Sequence, residues 1–420
     1  MITLKKSRVA GAVRIPASKS QTIRALLIAM MARGKSVIRN PLISADTESC
    51  MNALRKLGCS LELAQDGIIT VDSTGLAGSG SCIIDTGNSG TTAYLIYGLL
   101  GTLGLDEITL TGDEQLRCRP IANLVRAYND LGMDAVCETG CPPVRIRGRL
   151  KGGKTSIECP TSQYLSSLLL ALPLAQEDSF ITVPLLYEKP YVRMTLDWLD
   201  RQGIICSAAE DYQTVSVRGG QHYHPFDETI AGDYSSAAFF FAAAAVTAGK
   251  LTVTGLDPDD SQGDRRFLSV LEEMGCNVET GPDSVTVEGP QVLRGGTFDI
   301  NDIPDCLPVL SILGAVTDSP LRLTNVANAR IKETDRIAAM ADNLSLLGLE
   351  TIQEPDGLTV IPGRLKGGLC VPCLGDHRII MAMAVLSLII EGGLTIDDES
   401  AASVTFPTFF TLLDSIKEDK

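Results

Sequence analysis

The run Asn88-Ser-Gly-Thr-Thr-Ala-Tyr-Leu-Ile-Tyr-Gly-Leu-Leu100 passes from a polar, glycine-containing turn straight into an apolar helix. Five more segments share that shape: Ser18-Lys-Ser-Gln, Thr161-Ser-Gln-Tyr, Asp233-Tyr-Ser-Ser, Asp305-Cys-Leu-Pro and Asp376-His-Arg. Successive turns lie 70–73 residues apart. A second landmark keeps the same period. Amphipathic helices stop at Gly58, Gly132, Gly203, Gly275 and Gly348, 71–74 residues apart, as left-handed glycine stops do. After each stop come two short strands, for example Met133–Cys137 with Val144–Ile146. The repeating unit therefore reads β-α-β-α-β-β. Six such units exceed what one core can hold, so a three-plus-three division is expected. The Gly-rich, Pro-broken stretch Arg218-Gly-Gly-Gln-His-Tyr-His-Pro-Phe-Asp227 reads as the crossing between halves.

Composition narrows the function. The 420 residues are 45% hydrophobic but only 5% aromatic, so the cores are expected to be aliphatic. Lys and Arg number 36 against 51 Asp and Glu, a net charge of −15. Such a chain offers no field for a nucleic-acid or membrane-surface partner. The longest apolar stretch, Ile379 to Ile390, is 12 residues, too short to span a bilayer. The N-terminal Met-Ile-Thr-Leu-Lys-Lys has no apolar signal region. Twelve cysteines in that context read as reduced thiols in a cytoplasmic protein.

Three motifs invite a cofactor and fail on context. Gly148-Arg-Leu-Lys-Gly-Gly-Lys154-Thr155 matches the phosphate-loop pattern, but that chemistry needs a helix directly after the loop. Here Thr155–Cys159 reads as a strand, and similar turns recur at Leu293 and Arg364, so it is a repeat turn. Cys370-Val-Pro-Cys373 has no second pair at zinc spacing. His222 and His224 lack a third ligand and read as solvated residues of the crossing segment. Neither a metal nor another cofactor is expected.

Cations collect at the turns instead. Lys19 and Arg24 belong to the first, Arg378 to the sixth, and Arg117-Cys-Arg119-Pro120 and Lys332-Glu-Thr-Asp-Arg336 open second helices. Pro120 suits a first helical position, and Thr334 or Asp335 a cap. Cations at helix N-termini in an acidic chain point to anion sites. Ser18, Ser20, Thr161, Ser162 and Gln163 add neutral donors in equivalent places.

Taken in order and spacing, these motifs resemble the enolpyruvyl transferases, and among them the EPSP synthase family. They are Ser18-Lys-Ser-Gln-Thr-Ile-Arg24, Gly87-Asn-Ser-Gly-Thr91, Arg119-Pro120, Ser162-Gln163, Lys189-Pro-Tyr191, Gly232-Asp-Tyr-Ser-Ser236, Ile303-Pro-Asp305, Lys332-Glu-Thr-Asp-Arg336 and Asp376-His-Arg378. The resemblance implies an α/β fold of two inside-out domains, each of three βαβαββ repeats, with an active-site cleft between them. Residues 17–231 would form the N-terminal domain, and residues 1–16 with 232–420 the C-terminal one. The first strand would cross over to join the latter. The implied reaction moves the enolpyruvyl group of phosphoenolpyruvate onto the 5-hydroxyl of shikimate 3-phosphate and releases phosphate, with no cofactor. The implied partners are small anionic substrates of a monomeric enzyme of chorismate and aromatic amino acid biosynthesis.

By the same resemblance Asp305 is the base, Glu333 the proton donor to carbon, and Lys19 assists. Lys19, Ser20, Arg24, Thr161, Ser162, Gln163, Tyr191, Asp305, Asn328 and Lys332 would hold shikimate 3-phosphate. Lys19, Asn88, Gly90, Arg119, Gln163, Arg336 and Arg378 would hold phosphoenolpyruvate. A methyl at Gly90 would project toward that pocket and reduce glyphosate binding, unless the glycine serves only a positive φ. The UDP-N-acetylglucosamine relatives carry a reactive Cys five residues before Arg-Pro, where this chain has Glu114. Three positions depart from the pattern: Tyr94 for Arg, Glu188 for Ser and Val404 for Lys. Glu188 would repel the acceptor phosphate unless its side chain turns outward. Two other readings share these residues: a divergent transferase for another phosphorylated cyclitol, and a degenerate anion-binding homologue.

Overall fold

The computed structural model describes residues 1–418 apart from 77 and 79. In chain order its helices are α1 (Lys19–Met31), α2 (Ala45–Lys56), α3 (Gly90–Leu100), α4 (Ala122–Asp130), α5 (Ser162–Ala171), α6 (Lys189–Arg201), α7 (Tyr234–Thr247), α8 (Arg266–Glu273), α9 (Leu307–Ser311), α10 (Arg336–Leu346), α11 (His377–Ser387) and α12 (Phe409–Ser415). Up to α11 they alternate in character. The odd-numbered helices begin at or just after the six repeat-opening turns. Their side chains are apolar nearly all round, and α3, α7 and α11 are buried along their whole length. A helix hydrophobic on every side belongs inside a core. The alanines of α7 supply strong helix propensity, and its three phenylalanines add buried apolar area. Helix α9 is only one turn, flanked by 3₁₀ turns at Pro304–Cys306 and Ile312–Val316. Pro304 and Pro308 remove N–H donors there and hold it short.

The even-numbered helices α2 to α10 bury one face. Each stops at one of the five glycines read from sequence, with φ of +100° at Gly58, +97° at Gly132, +68° at Gly203, +99° at Gly275 and +95° at Gly348.

One sheet pattern recurs. Ser81–Asp85 pairs parallel with Glu107–Thr111, which pairs antiparallel with Val144–Gly148, itself antiparallel to Met133–Cys137. Gly153–Cys159, Ser179–Leu186, Thr214–Val217 and Cys206–Ala208 repeat that order, as do Gly296–Asp299, Leu321–Thr324, Gly357–Ile361 and Glu350–Glu354. Two sheets borrow their first strand from far away. Asp227–Thr229 lies parallel to Lys35–Arg39, and Ala10–Arg14 lies parallel to Lys250–Thr254. The sixth sheet has three strands, with Leu394–Ile396 between Leu369–Val371 and Ile2–Leu4.

These elements form two compact units. One comprises Met1–Ser18 with Ala231–Lys420, and the other Lys19–Ile230. Within the first unit, Ala17 and Gly232 bridge antiparallel and the Ser18 N–H donates to the Ala231 carbonyl at 2.9 Å. The phosphate-loop look-alike joins the strands Val144–Gly148 and Gly153–Cys159, with no helix after it. The Arg218–Asp227 stretch packs onto the Lys19–Ile230 unit. Tyr223 is buried there, its hydroxyl donating to the Leu170 carbonyl at 2.7 Å, while His222 and His224 face solvent.

In the Lys19–Ile230 unit α3 packs against α5 and α1. Gly98 permits the close approach. A Cβ there would lie 1.7 Å from Tyr128 Oη and 2.7 Å from the Ala171 Cβ. Tyr128 is fully buried and bonded to Ser167 at 3.0 Å, so it has no route out. Gly98→Ala should therefore destabilise by about 1–3 kcal/mol, as overpacked cores do. A urea titration reads this as a lower midpoint at unchanged slope; an unshifted midpoint would contradict the packing described.

Candidate active site

In the Lys19–Ile230 unit, the polar groups gather at helix starts. Thr161 caps α5 and accepts from the Gln163 N–H. Ser89 caps α3 and accepts from the Thr92 N–H. The two helix ends touch, with Gln163 Nε2 3.4 Å from Thr91 Oγ1. Arg119 reaches the α3 turn from the segment before α4 and donates through Nη2 to Asn88 Oδ1 at 2.8 Å. Gly90 opens α3 at an ordinary helical φ, and the positive φ of this turn belongs to Gly87, at +56°. Gly90 instead makes room: a Cβ would sit 2.5 Å from Arg119 Nη1.

At the first turn Lys19 forms an ion pair with Asp46 of α2 at 3.3 Å, both largely buried. Arg24 is 2% exposed. It donates to Thr195 Oγ1 at 2.9 Å and to the carbonyls of Ser20 and Tyr191, each at 3.0 Å. All three acceptors are neutral. Desolvation, uncompensated by a carboxylate, lowers its pKa to about 10. A buried cation with only neutral partners is suited to an anionic ligand.

Glu188 turns into this unit and is 2% exposed. Its Oε2 accepts from Thr161 Oγ1 at 3.1 Å, the Ser162 N–H at 3.0 Å and Ser162 Oγ at 2.7 Å. Its backbone is left-handed, with φ +58° at the N-cap of α6. The outward turn that would spare an acceptor phosphate is not what the chain adopts. The α5 N-terminus carries an N–H and two hydroxyls, and all three bond one oxygen of the buried carboxylate.

The other unit holds a denser cluster. Asp335 caps α10 by accepting from the Ala338 N–H, and Asp376 caps α11 by accepting from the Arg378 N–H. Arg336 is 1% exposed. It donates to Asp376 through Nε at 2.8 Å, to Asp305 through Nη1 at 2.9 Å and to Glu333 through Nη2 at 2.5 Å. Burial pulls its pKa down, but Asp376, Glu333 and Asp305 outweigh this and leave it raised. Arg378 reaches the other Asp305 oxygen at 3.0 Å, and Lys332 approaches Asp305 at 3.7 Å. Asp305 thus faces three cations. Asn328 is buried in the 3₁₀ turn Ala327–Ile331 that precedes Lys332.

Of the residues anticipated from sequence, Lys19, Ser20, Arg24, Asn88, Gly90, Arg119, Thr161, Ser162, Gln163 and Tyr191 belong to the Lys19–Ile230 unit. Asp305, Asn328, Lys332, Glu333, Arg336 and Arg378 belong to the other. Pro120 is not the first helical residue, because α4 begins at Ala122. Its carbonyl instead accepts from the hydroxyls of Tyr94, at 3.0 Å, and Tyr164, at 2.5 Å. Tyr94 so packs edge-on to Tyr164 with centroids 5.4 Å apart. Val404 ends the 3₁₀ turn Ser400–Val404, half-buried. Sequence reading missed Asp46 and missed Asp376 as a partner of Arg336. Asp46 sits in the first turn of α2 behind the Ser44–Thr47 capping box, a signal that marks a helix start but names no ion pair. Among the described residues no group of three or more His, Cys, Asp or Glu is placed to hold a metal. Burial raises the Cys50 thiol to about 12 and Cys306 well above its usual range, so neither is a ready nucleophile.

Residues 4–413 match the family model described as EPSP synthase (3-phosphoshikimate 1-carboxyvinyltransferase). A relative named 3-phosphoshikimate 1-carboxyvinyltransferase from Acetivibrio thermocellus is 42% identical, over 98% of this chain and 97% of its own length. One of the same name from Ruminiclostridium cellulolyticum is 40% identical, over 97% and 96%. Among solved structures, EPSP synthase from Acinetobacter baumannii aligns with TM-score 0.80 at 25% identity, covering 99% of this chain and 97% of that one. The enolpyruvyl transferase NikO from Streptomyces tendae aligns with TM-score 0.81 at 19% identity, covering 99% and 96%, a likeness of fold. With its six-fold repeat, its capped helix starts and this full-length match, the chain belongs to the EPSP synthase family.

Proposed function

We propose that this chain transfers the enolpyruvyl group of phosphoenolpyruvate to the 5-hydroxyl of shikimate 3-phosphate and releases phosphate. The observation that carries the reading is Asp305, a carboxylate facing Arg336, Arg378 and Lys332, with Glu333 on the same Arg336. Two polyanionic substrates repel by roughly 4 kcal/mol per charge pair 4 Å apart at an effective dielectric near 20. Arginines and lysines held in advance at fixed positions offset that repulsion without reorganising.

In this reading Asp305 accepts the proton of the 5-hydroxyl as its oxygen bonds to C2 of phosphoenolpyruvate. Glu333 gives a proton to C3, which becomes a methyl group. Elimination then returns a methyl proton to Glu333, restores the C2–C3 double bond and breaks the C2–O bond to phosphate, whose leaving oxygen takes the proton held by Asp305 and so restores that carboxylate. In the free enzyme Arg336 and Arg378 hold Asp305. Arriving substrate anions compete for those guanidiniums and loosen their grip on the carboxylate that must take a proton. Lys19 and Arg119, from the turns of α1 and before α4, would face phosphoenolpyruvate with Asn88, Gly90 and Gln163. Arg24, with Ser20, Tyr191, Thr161 and Ser162, would face the acceptor with Asn328 and Lys332. The twelve unpaired thiols fit a reducing cytoplasm, and no described helix is long and apolar enough to cross a membrane.

The deciding assay is phosphate release from phosphoenolpyruvate with shikimate 3-phosphate, with UDP-N-acetylglucosamine and with no acceptor. Release only with shikimate 3-phosphate supports the reading; release only with UDP-N-acetylglucosamine, or with neither acceptor, overturns it. Asp305→Asn and Glu333→Gln should each lower kcat roughly 100-fold or more with smaller changes in KM, as general acid–base groups do. Near-normal turnover in either variant removes that residue's role.

Gly90→Ala should push the Arg119 guanidinium off Asn88. Loss of a charge-assisted bond costs about 1.5–3 kcal/mol, so the KM for phosphoenolpyruvate should rise roughly 10-fold or more and inhibition by glyphosate should weaken. The unfolding midpoint should barely move, because Gly90 has no positive φ to protect and the displaced group is the end of a long side chain. A large drop in midpoint with unchanged KM would mean a purely structural glycine.

A further inference from the structure

The α5 N-terminus is already occupied by an anion of the chain's own. We infer that Glu188 is a built-in competitor for the acceptor's phosphate. Its carboxylate must leave the Thr161–Ser162 turn before a phosphate can bind there, and it sets how tightly the acceptor is held. This rests on the reading that the turn receives shikimate 3-phosphate.

The geometry makes the competition a matter of counting protons. The turn offers the Thr161 hydroxyl, the Ser162 N–H and the Ser162 hydroxyl, and each has one hydrogen to give. All three point at one oxygen, Glu188 Oε2, at 2.7–3.1 Å. A phosphate entering the turn finds its donors spent and a buried negative charge in its place. Glu188 cannot simply pivot at its Cα, because its left-handed backbone is fixed as the N-cap of α6 and its carbonyl accepts from the Tyr191 N–H at 3.1 Å. Only rotation of the side chain clears the turn. Arg24 supplies an independent pointer to an anionic ligand in this neighbourhood. It is buried, bonded only to neutral oxygens, and reaches the Tyr191 carbonyl in the same first turn of α6. Its charge is not spent on Glu188, so it stays available when an anion arrives.

Two variants separate charge from shape. Glu188→Ser empties the turn, and Glu188→Gln keeps an oxygen able to accept the same three bonds but removes the charge. Titration calorimetry with shikimate 3-phosphate alone should give Glu188→Ser at least 10-fold tighter binding than the unaltered protein. Glu188→Gln should fall between the two. Binding of shikimate, which lacks the phosphate, should change less than 2-fold in either variant. Thermal unfolding on the same samples checks that both are folded; should Glu188→Ser fail there, the Gln variant carries the comparison alone.

Equal affinity for shikimate 3-phosphate in all folded forms, weaker binding in the variants, or equal gains for shikimate and its 3-phosphate each overturn the competition. Phosphate release with phosphoenolpyruvate is then measured on the same proteins. Tighter calorimetric binding without turnover in any form leaves the competition standing and overturns the transferase reading. Turnover with unchanged acceptor affinity does the reverse.

Discussion

A helix buried on all sides has nowhere to send its first amides except to side chains beside it. That constraint organises the molecule. The wholly buried helices α3, α7 and α11 each start behind a side-chain cap, Ser89, Asp233 and Asp376, and α5 starts behind Thr161. Four unsatisfied N–H groups per helix would otherwise be stranded in an apolar core. The turns must therefore be polar, and each buried helix has its positive end at such a turn. Anion recognition is thus a by-product of solving a packing problem twice over in each unit.

Charge balance in the Ala231–Lys420 unit turns on a single side chain. Arg336 joins Asp305, Glu333 and Asp376, and so ties together a cap, a candidate base and a candidate proton donor. These three carboxylates offset the cost of burying its guanidinium. The same wiring means that none of the three carboxylates is positioned independently of the others. In the Lys19–Ile230 unit the balance is looser. Lys19 has Asp46, Arg119 has Asn88, and Arg24 has only carbonyls and a hydroxyl.

The repeat was legible because two unrelated landmarks share one period, and both have mechanical causes. Glycines at Gly58, Gly132, Gly203, Gly275 and Gly348 end helices through a φ that other residues avoid, so strand starts after them could be placed to within a residue or two. The helix at Asp305 was foreseeable as a turn but not as a single turn of α-helix between 3₁₀ segments. The ion pairs were illegible. Lys19 with Asp46, and Arg336 with Asp376, lie 27 and 40 residues apart, and periodicity says nothing about which charges meet across a fold. Glu188 shows the same limit more sharply. The family resemblance sets it near the acceptor phosphate, but the direction of its side chain depends on three donors contributed by Thr161 and Ser162.

The borrowed strands give the chain an order of events during synthesis. Lys19–Ile230 is one continuous segment, and its last sheet partner, Asp227–Thr229, arrives at its very end. That unit has all its strands once residue 229 has left the ribosome. The other unit opens with Ala10–Arg14 and Ile2–Leu4, whose partners are Lys250–Thr254 and Leu394–Ile396. At roughly 5–20 residues per second, these two strands wait on the order of 10 to 80 s for the strands they pair with. During that interval the nascent chain carries two strands without their partners, and this is when it is most open to pairing with the wrong chain.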